Sequence, residues 1–97
     1  MNKKTLHLLR QSPFNNNDVE LCCANLSTED AIVLIDDASY LLNHPLLTDI
    51  LLACQNIYII EQHALARGLT STGNIQVISI EKLTQLIFDY DNSVTWQ

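Results

Sequence analysis

Short runs of β-branched and aliphatic residues alternate along this chain with stretches whose apolar residues recur at helical spacing. The runs are Ala31-Ile32-Val33-Leu34-Ile35, Ile57-Tyr58-Ile59-Ile60 and the looser Ile75-Gln76-Val77-Ile78-Ser79-Ile80. Continuous apolar runs of this length, bounded by polar or turn residues, predict strands buried on both faces. Thr5 to Leu9 is a further strand, stopped by Arg10-Gln11-Ser12-Pro13, where Pro13 lacks the N–H that a ladder needs. Between the strands, Val19, Cys22, Cys23 and Leu26 fall at i, i+3, i+4 and i+7, with Asn16, Asn17 or Asp18 available as a cap. Pro45 suits the first position of a second helix, whose apolar face is Leu46, Leu47, Ile50, Leu51 and Cys54. Gln62 to Arg67 is a short third helix with Gly68 at its left-handed end, and Leu83, Leu86, Ile87 and Tyr90 define a fourth that starts near Glu81.

Strands that alternate with helices require crossover connections, hence a mostly parallel sheet covered on both faces. The expected architecture is a three-layer α/β/α domain with four to five strands, one domain over residues 1–97, since 97 residues hold one core. The ends, residues 1–4 and 91–97, read as loose, except that Trp96 is a large apolar group expected to dock.

Composition narrows the function. Eleven acidic against five basic residues give a net charge of −6, which argues against direct nucleic-acid binding, a contact that runs on Lys and Arg. Hydrophobic residues make up 47% and charged residues 16%, so part of the apolar surface is expected to serve a partner. Met1-Asn2-Lys3-Lys4 is followed by a stretch broken by His7, Arg10 and Gln11, so neither a signal peptide nor a membrane span is expected, and the chain reads as soluble and cytoplasmic. An odd number of cysteines, two of them adjacent, suits a reducing compartment and suggests no disulfide framework.

Open α/β sheets place ligand sites at the carboxyl ends of strands. Here those ends are Arg10 to Phe14, Asp36 to Tyr40, Glu61 to His63 and the stretch after Ile80, and none carries a glycine-rich phosphate loop. Asp36 and Asp37 resemble an acidic catalytic or metal pair, but the position after a strand favours a helix cap. His7, His44 and His63 fall in three different elements and no Cys-x-x-Cys is present, so no metal site and no cofactor are expected. A Ser-His-Asp hydrolase is disfavoured, because no G-x-S-x-G elbow occurs. The cysteines remain. Adjacent helical residues point ~100° apart, so Cys22 and Cys23 cannot share one site, and the plain reading makes both small core hydrophobes, with Cys54 in the core as well.

Several segments carry a resemblance. Thr5-Leu6-His7-Leu8-Leu9-Arg10-Gln11-Ser12-Pro13-Phe14 resembles the opening LHT-x-x-x-SP plus an aromatic, Ala31 to Tyr40 is similar to LLL-x-x-DG-x-Y, and Ile57 to Leu69 is similar to YVL-x-x-DL-x-ARGL. With the closing Trp96, these segments resemble, in order, the TusB/DsrH family of sulfur-relay proteins. The resemblance implies a subunit of a TusBCD-like cytoplasmic heterohexamer, with TusC-like and TusD-like partners, that relays persulfide sulfur toward 2-thiolation of the tRNA wobble uridine. In that system the main sulfur-accepting cysteine belongs to the TusD-like partner, which implies an accessory, structural role for this chain. Some DsrH-like members of sulfur oxidisers carry a cysteine eight positions after the aromatic, which is Cys22 here, so the alternative implied is Cys22 as a persulfide carrier, in the same relay or in DsrEFH-type sulfur oxidation. Phe14, Tyr40 and Trp96 are the interface candidates. Two departures stand out: Ala38 replaces a glycine that would permit a tight left-handed turn, and His63-Ala64 replaces Asp-Leu.

Overall fold

The computed structural model describes residues 4–15, 17–27, 29–54, 56–70 and 75–96. Their elements run β1 (Thr5–Leu9), α1 (Asp18–Ala24), β2 (Ala31–Leu34), a 3₁₀ helix (Asp36–Asn43), α2 (Leu47–Ala53), β3 (Asn56–Ile60), α3 (Glu61–Ala66), β4 (Ile75–Ile78), α4 (Ile80–Asp89) and β5 (Asn92–Trp96). The five strands form one sheet in the order β4-β3-β2-β1-β5, with every pairing parallel. β2 lies at the centre, and all four of its residues are buried, as a run that is apolar on both faces requires.

Strand alternation splits the core into two layers. Leu9, Ile32, Leu34, Ile57, Ile59 and Ile75 face Val19 and Cys22 of α1, Leu41 of the 3₁₀ helix, Ile50 of α2 and Ala64 of α3. Leu6, Ala31, Val33, Ile60 and Ile78 face Leu86 of α4, with Leu83 and Tyr90 packed beside it. Each fully buried Leu or Ile contributes about 1.5–3 kcal/mol relative to exposure. The connections that step from β1 to β4 keep their helices on one face, whereas α4 returns across the other face to deliver β5 beside β1. The α/β/α expectation therefore holds.

Four local readings change. Residues 92–96 are not a loose end. They form β5, whose register is set where the N–H groups of Asp91 and Asn92 donate to the Lys4 carbonyl (2.9 and 3.3 Å) and the Lys4 N–H donates to Asp91 Oδ2 (2.9 Å). Pro45 does not open the second helix: a 3₁₀ helix intervenes, and α2 begins at Leu47 after a turn in which the Leu46 N–H donates to His44 Nδ1 at 3.0 Å. Ile87 leaves the inner face of α4 and is 40% exposed, because Leu83, Leu86 and Tyr90 already fill the stripe facing the sheet. Asp36 and Asp37 cap nothing, since the residue preceding the 3₁₀ helix is Ile35 and no side chain caps it.

The ends of α3 and α4 follow sequence chemistry closely. Ser79 Oγ accepts the Lys82 N–H at 3.2 Å and caps α4. After α3, Gly68 takes φ +66°, its N–H donates to the Leu65 carbonyl, and the Leu69 N–H reaches back to the Ala64 carbonyl at 3.0 Å. That pair of bonds is a Schellman ending, with Leu69 folded under the helix beside Ala64.

Candidate functional site at the carboxyl edge of the sheet

The parallel strands deliver their carboxyl ends to one edge, where the chain's two arginines meet the acidic pair. Arg10 leaves β1 and places Nη2 3.4 Å from Asp36 Oδ2. Arg67, just past α3, donates from Nε and Nη2 to Asp37 Oδ1 (3.0 and 2.9 Å) and from Nη1 to the His63 carbonyl (3.0 Å). Asp36 sits at φ +52°, the one described residue other than glycine in the left-handed region. Asp tolerates that conformation better than most residues. The left-handed position of this turn thus falls on Asp36 rather than on Ala38, which is wholly buried, so the replacement of glycine by alanine costs the turn nothing.

Asp36 is held there by His63. The Asp36 N–H donates to His63 Nδ1 at 2.9 Å, so Nδ1 carries the lone pair and the neutral ring bears its proton on Nε2. His63 stands where the resembling pattern has an aspartate, and its ring nitrogen does for the main chain what a carboxylate oxygen would do. The network matches two guanidinium groups with two carboxylates. Chemically it ties the ends of β1 and β2 to α3, and its half-exposed pairs are each worth at most about 1 kcal/mol.

Beside it the connections diverge: β3 leads into α3 on one face and β4 into α4 on the other, the place where an open α/β sheet leaves a crevice. A groove of about 270 Å³ lies here, lined by Glu61, Ala64, Leu65, Leu69, Thr70 and Val77. Its polar groups are one carboxylate and one hydroxyl, and no thiol reaches it.

The thiols lie elsewhere. Cys22 on α1 has no accessible surface and belongs to the core layer with Val19 and Ile32. Burial foremost, then the neighbouring Cys23, Cys54, Asp30 and Asp18, pushes its pKa up to about 12. Cys54 is also buried; its Sγ lies 3.6 Å from the Asp30 carbonyl and 3.5 Å from the Asn56 carbonyl. Burial, helped by the Asp30 charge, pushes that thiol up too, even against the lowering effect of main-chain hydrogen bonding with Asn56 and Ile32. Cys23 is half-buried, and burial, with Cys54 and Asp49, likewise raises it. All three cysteines are free thiols, and among the described residues no group of three or more His, Cys, Asp or Glu is placed to hold a metal ion.

The interface candidates separate. Phe14 is 59% exposed and meets the His44 ring edge-on, with centroids 4.6 Å apart. Tyr40 packs against the core, and so does Trp96. Trp96 docks through a contact that no local pattern announces. Its indole N–H donates to His7 Nδ1 (3.1 Å), and His7 Nε2 lies 3.0 Å from Asp30 Oδ2. Asp30 was overlooked because it precedes an apolar run and looks like an ordinary strand-opening residue; its signal is a histidine two residues into the neighbouring strand.

A family model described as DsrH like protein matches residues 11–93. The chain belongs to the DsrH-like family. This is a sulfur-relay family, in agreement with the resemblance carried by the Ser12-Pro13-Phe14 and Ala66-Arg67-Gly68-Leu69 segments. Among solved structures, the ychN protein of E. coli superposes with a TM-score of 0.77 at 14% identity, covering 98% of this chain and 100% of that one. At that identity the likeness speaks for the fold, and it is the same all-parallel α/β fold. No curated protein matches this chain. No helix of the described DsrH-like chain is long and apolar enough to cross a membrane.

Proposed function

We propose that this DsrH-like chain is an interaction subunit of a cytoplasmic TusBCD-like complex, in which it packs against TusC-like and TusD-like subunits and supports the relay of persulfide sulfur toward 2-thiolation of the tRNA wobble uridine. The observation that carries the reading is the burial of Cys22: a thiol with no accessible surface and a pKa pushed up to about 12 is a poor sulfur acceptor, because the thiolate is the competent nucleophile. The outer surface supports it as well. Phe88 is 82% exposed on α4, and Ile80 and Ile87 lie exposed on the same helix, an apolar stripe that a lone soluble domain has no reason to keep. The acidic balance fits a component that acts upstream of tRNA without holding it.

Co-expression with TusC-like and TusD-like subunits followed by size exclusion tests the reading. The expected result is co-elution as one complex, reduced by Phe88→Ser with the fold intact; a chain that always elutes alone defeats it. The second reading, Cys22 as a persulfide carrier, is favoured by its place eight residues after Phe14. Incubation of the assembled complex with a persulfide donor decides between them. The interaction reading expects no added sulfur mass on this chain, and added mass lost in Cys22→Ala establishes the carrier.

A further inference from the structure

We propose that Asp30, His7 and Trp96 form a pH-sensitive latch that holds the carboxyl-terminal strand β5 on the sheet. The three side chains come from the lead into β2, from the middle of β1 and from the end of β5, so the latch spans both pairings of β1 on that side of the sheet. Its direction is set by chemistry. An indole N–H only donates, so His7 Nδ1, 3.1 Å away, must present its lone pair. The ring proton therefore sits on Nε2 and is donated to Asp30 Oδ2 at 3.0 Å. This fixes one tautomer and one charge state: His7 is neutral whenever Trp96 is docked in this way.

Protonation of His7 acts on the two ends in opposite senses. The Nε2–H to Asp30 bond becomes a charge-assisted pair inside the protein, with His7 5% and Asp30 4% exposed. At Nδ1 a new N–H faces the indole N–H, and two donors at hydrogen-bond distance each lose their partner. Acid thus tightens His7 on Asp30 and releases Trp96. The other titratable groups around this face do not reverse the sign. Cys54 from the end of α2 and Cys22 from α1 are pushed up by burial and stay uncharged. Asp18 on α1 and the exposed Asp91 are carboxylates, and Lys4 lies at the start of β1 with Nζ over the Tyr90 ring at 5.1 Å. The acceptor of the indole N–H in this geometry is His7 Nδ1. Beyond its main-chain ladder with β1 and the Lys4–Asp91 bonds at its start, β5 has Trp96 as its one packed side chain, since Asn92 to Thr95 are exposed.

Trp96 is the chain's only tryptophan, so its fluorescence reads the latch directly in the full-length protein. Lowering the pH through the interval in which imidazoles ordinarily titrate, about pH 8 to about 5, is expected to red-shift the emission and increase quenching by acrylamide, with the far-UV circular dichroism of the sheet and helices retained. His7→Gln, which cannot titrate, is expected to remove that transition. An emission that stays constant across the interval in the wild type, or the same transition in His7→Gln, overturns the proposal. A long-range ¹H–¹⁵N spectrum of the wild-type His7 ring provides a readout that needs no variant. Nδ1 is expected as the unprotonated nitrogen near pH 8, gaining its proton as the Trp96 indole signal moves, and a protonated Nδ1 near pH 8 overturns the proposal equally.

Discussion

The main-chain N–H of Asp36 points at Nδ1 of His63 across 2.9 Å, and this bond holds a non-glycine residue in the left-handed region at the end of the central strand. The strain is local and testable. Asp36→Gly relieves the backbone and loses the carboxylate contact to Arg10, whereas Asp36→Ala loses the same contact and keeps the strain. Urea denaturation is expected to rank the glycine variant about 1 kcal/mol above the alanine variant. An alanine variant as stable as the glycine one would show that the turn is not strained.

Gly68 provides the complementary case. It takes φ +66° with nothing within 4 Å of where a Cβ would stand, so its substitution meets backbone strain and no clash. Gly68→Ala is expected to cost about 1 kcal/mol in the same assay and to leave the denaturant slope unchanged. A loss several times larger would mean that the Schellman ending of α3 transmits damage into the core.

The thiols should differ in reach before they differ in chemistry. Alkylation of the native chain by iodoacetamide, followed by peptide mass spectrometry, is expected to label half-buried Cys23 first and to leave Cys22 and Cys54 for the denatured protein. Cys22→Ser puts an unmatched hydroxyl in a site with no solvent access and is expected to cost about 1–3 kcal/mol. Early labelling of Cys22 would contradict its burial.

Asp30 links stability to pH. Burial alone would raise its carboxyl, but the N–H of Ser27, the ring of His7 and the N–H of Thr5 outweigh burial and hold it below the usual carboxylate range. Because the folded group is depressed, it binds fewer protons than the unfolded one between its folded value and the ordinary ~3.9. Its stabilisation is therefore complete above that ordinary value and is lost as the pH falls through the folded one. Asp30→Asn offers one acceptor oxygen where three donors converge, and is expected to cost about 3 kcal/mol at about pH 5 and progressively less as the pH falls below the ordinary carboxylate value. A cost that does not change between about pH 5 and about pH 3 would remove Asp30 from the acid-sensitive groups.

Much of the architecture was legible because the strong signals are local. The runs at Ala31 and Ile57 are apolar on both faces, and only a covered parallel sheet uses such runs. Gly68 marked a helix end, since few other residues adopt its φ at no cost. The readings that failed have physical reasons in common. Asp36 and Asp37 looked like caps because the position after a strand usually needs one, yet Arg10 and Arg67 arrive from other segments and claim the two carboxylates, while His63 accepts the Asp36 main-chain N–H. Ile87 fits the helical period of α4 as well as Leu86 does, and only the shape of the sheet surface decides which of them is covered.

The amino-acid sequence by itself determined the alternation of strands and helices, the parallel sheet they require and the DsrH-like resemblance, since periodicity and short motifs are written in neighbouring residues. Tertiary structure alone decided that Asn92–Trp96 becomes a strand, that Cys22 is sealed, and that Asp30, His7 and Trp96 meet. An edge strand with exposed side chains is stabilised by the free hydrogen-bonding groups of its neighbour rather than by its own apolar pattern. The burial of a thiol and the company of a histidine likewise depend on residues brought near by folding across most of the chain's length.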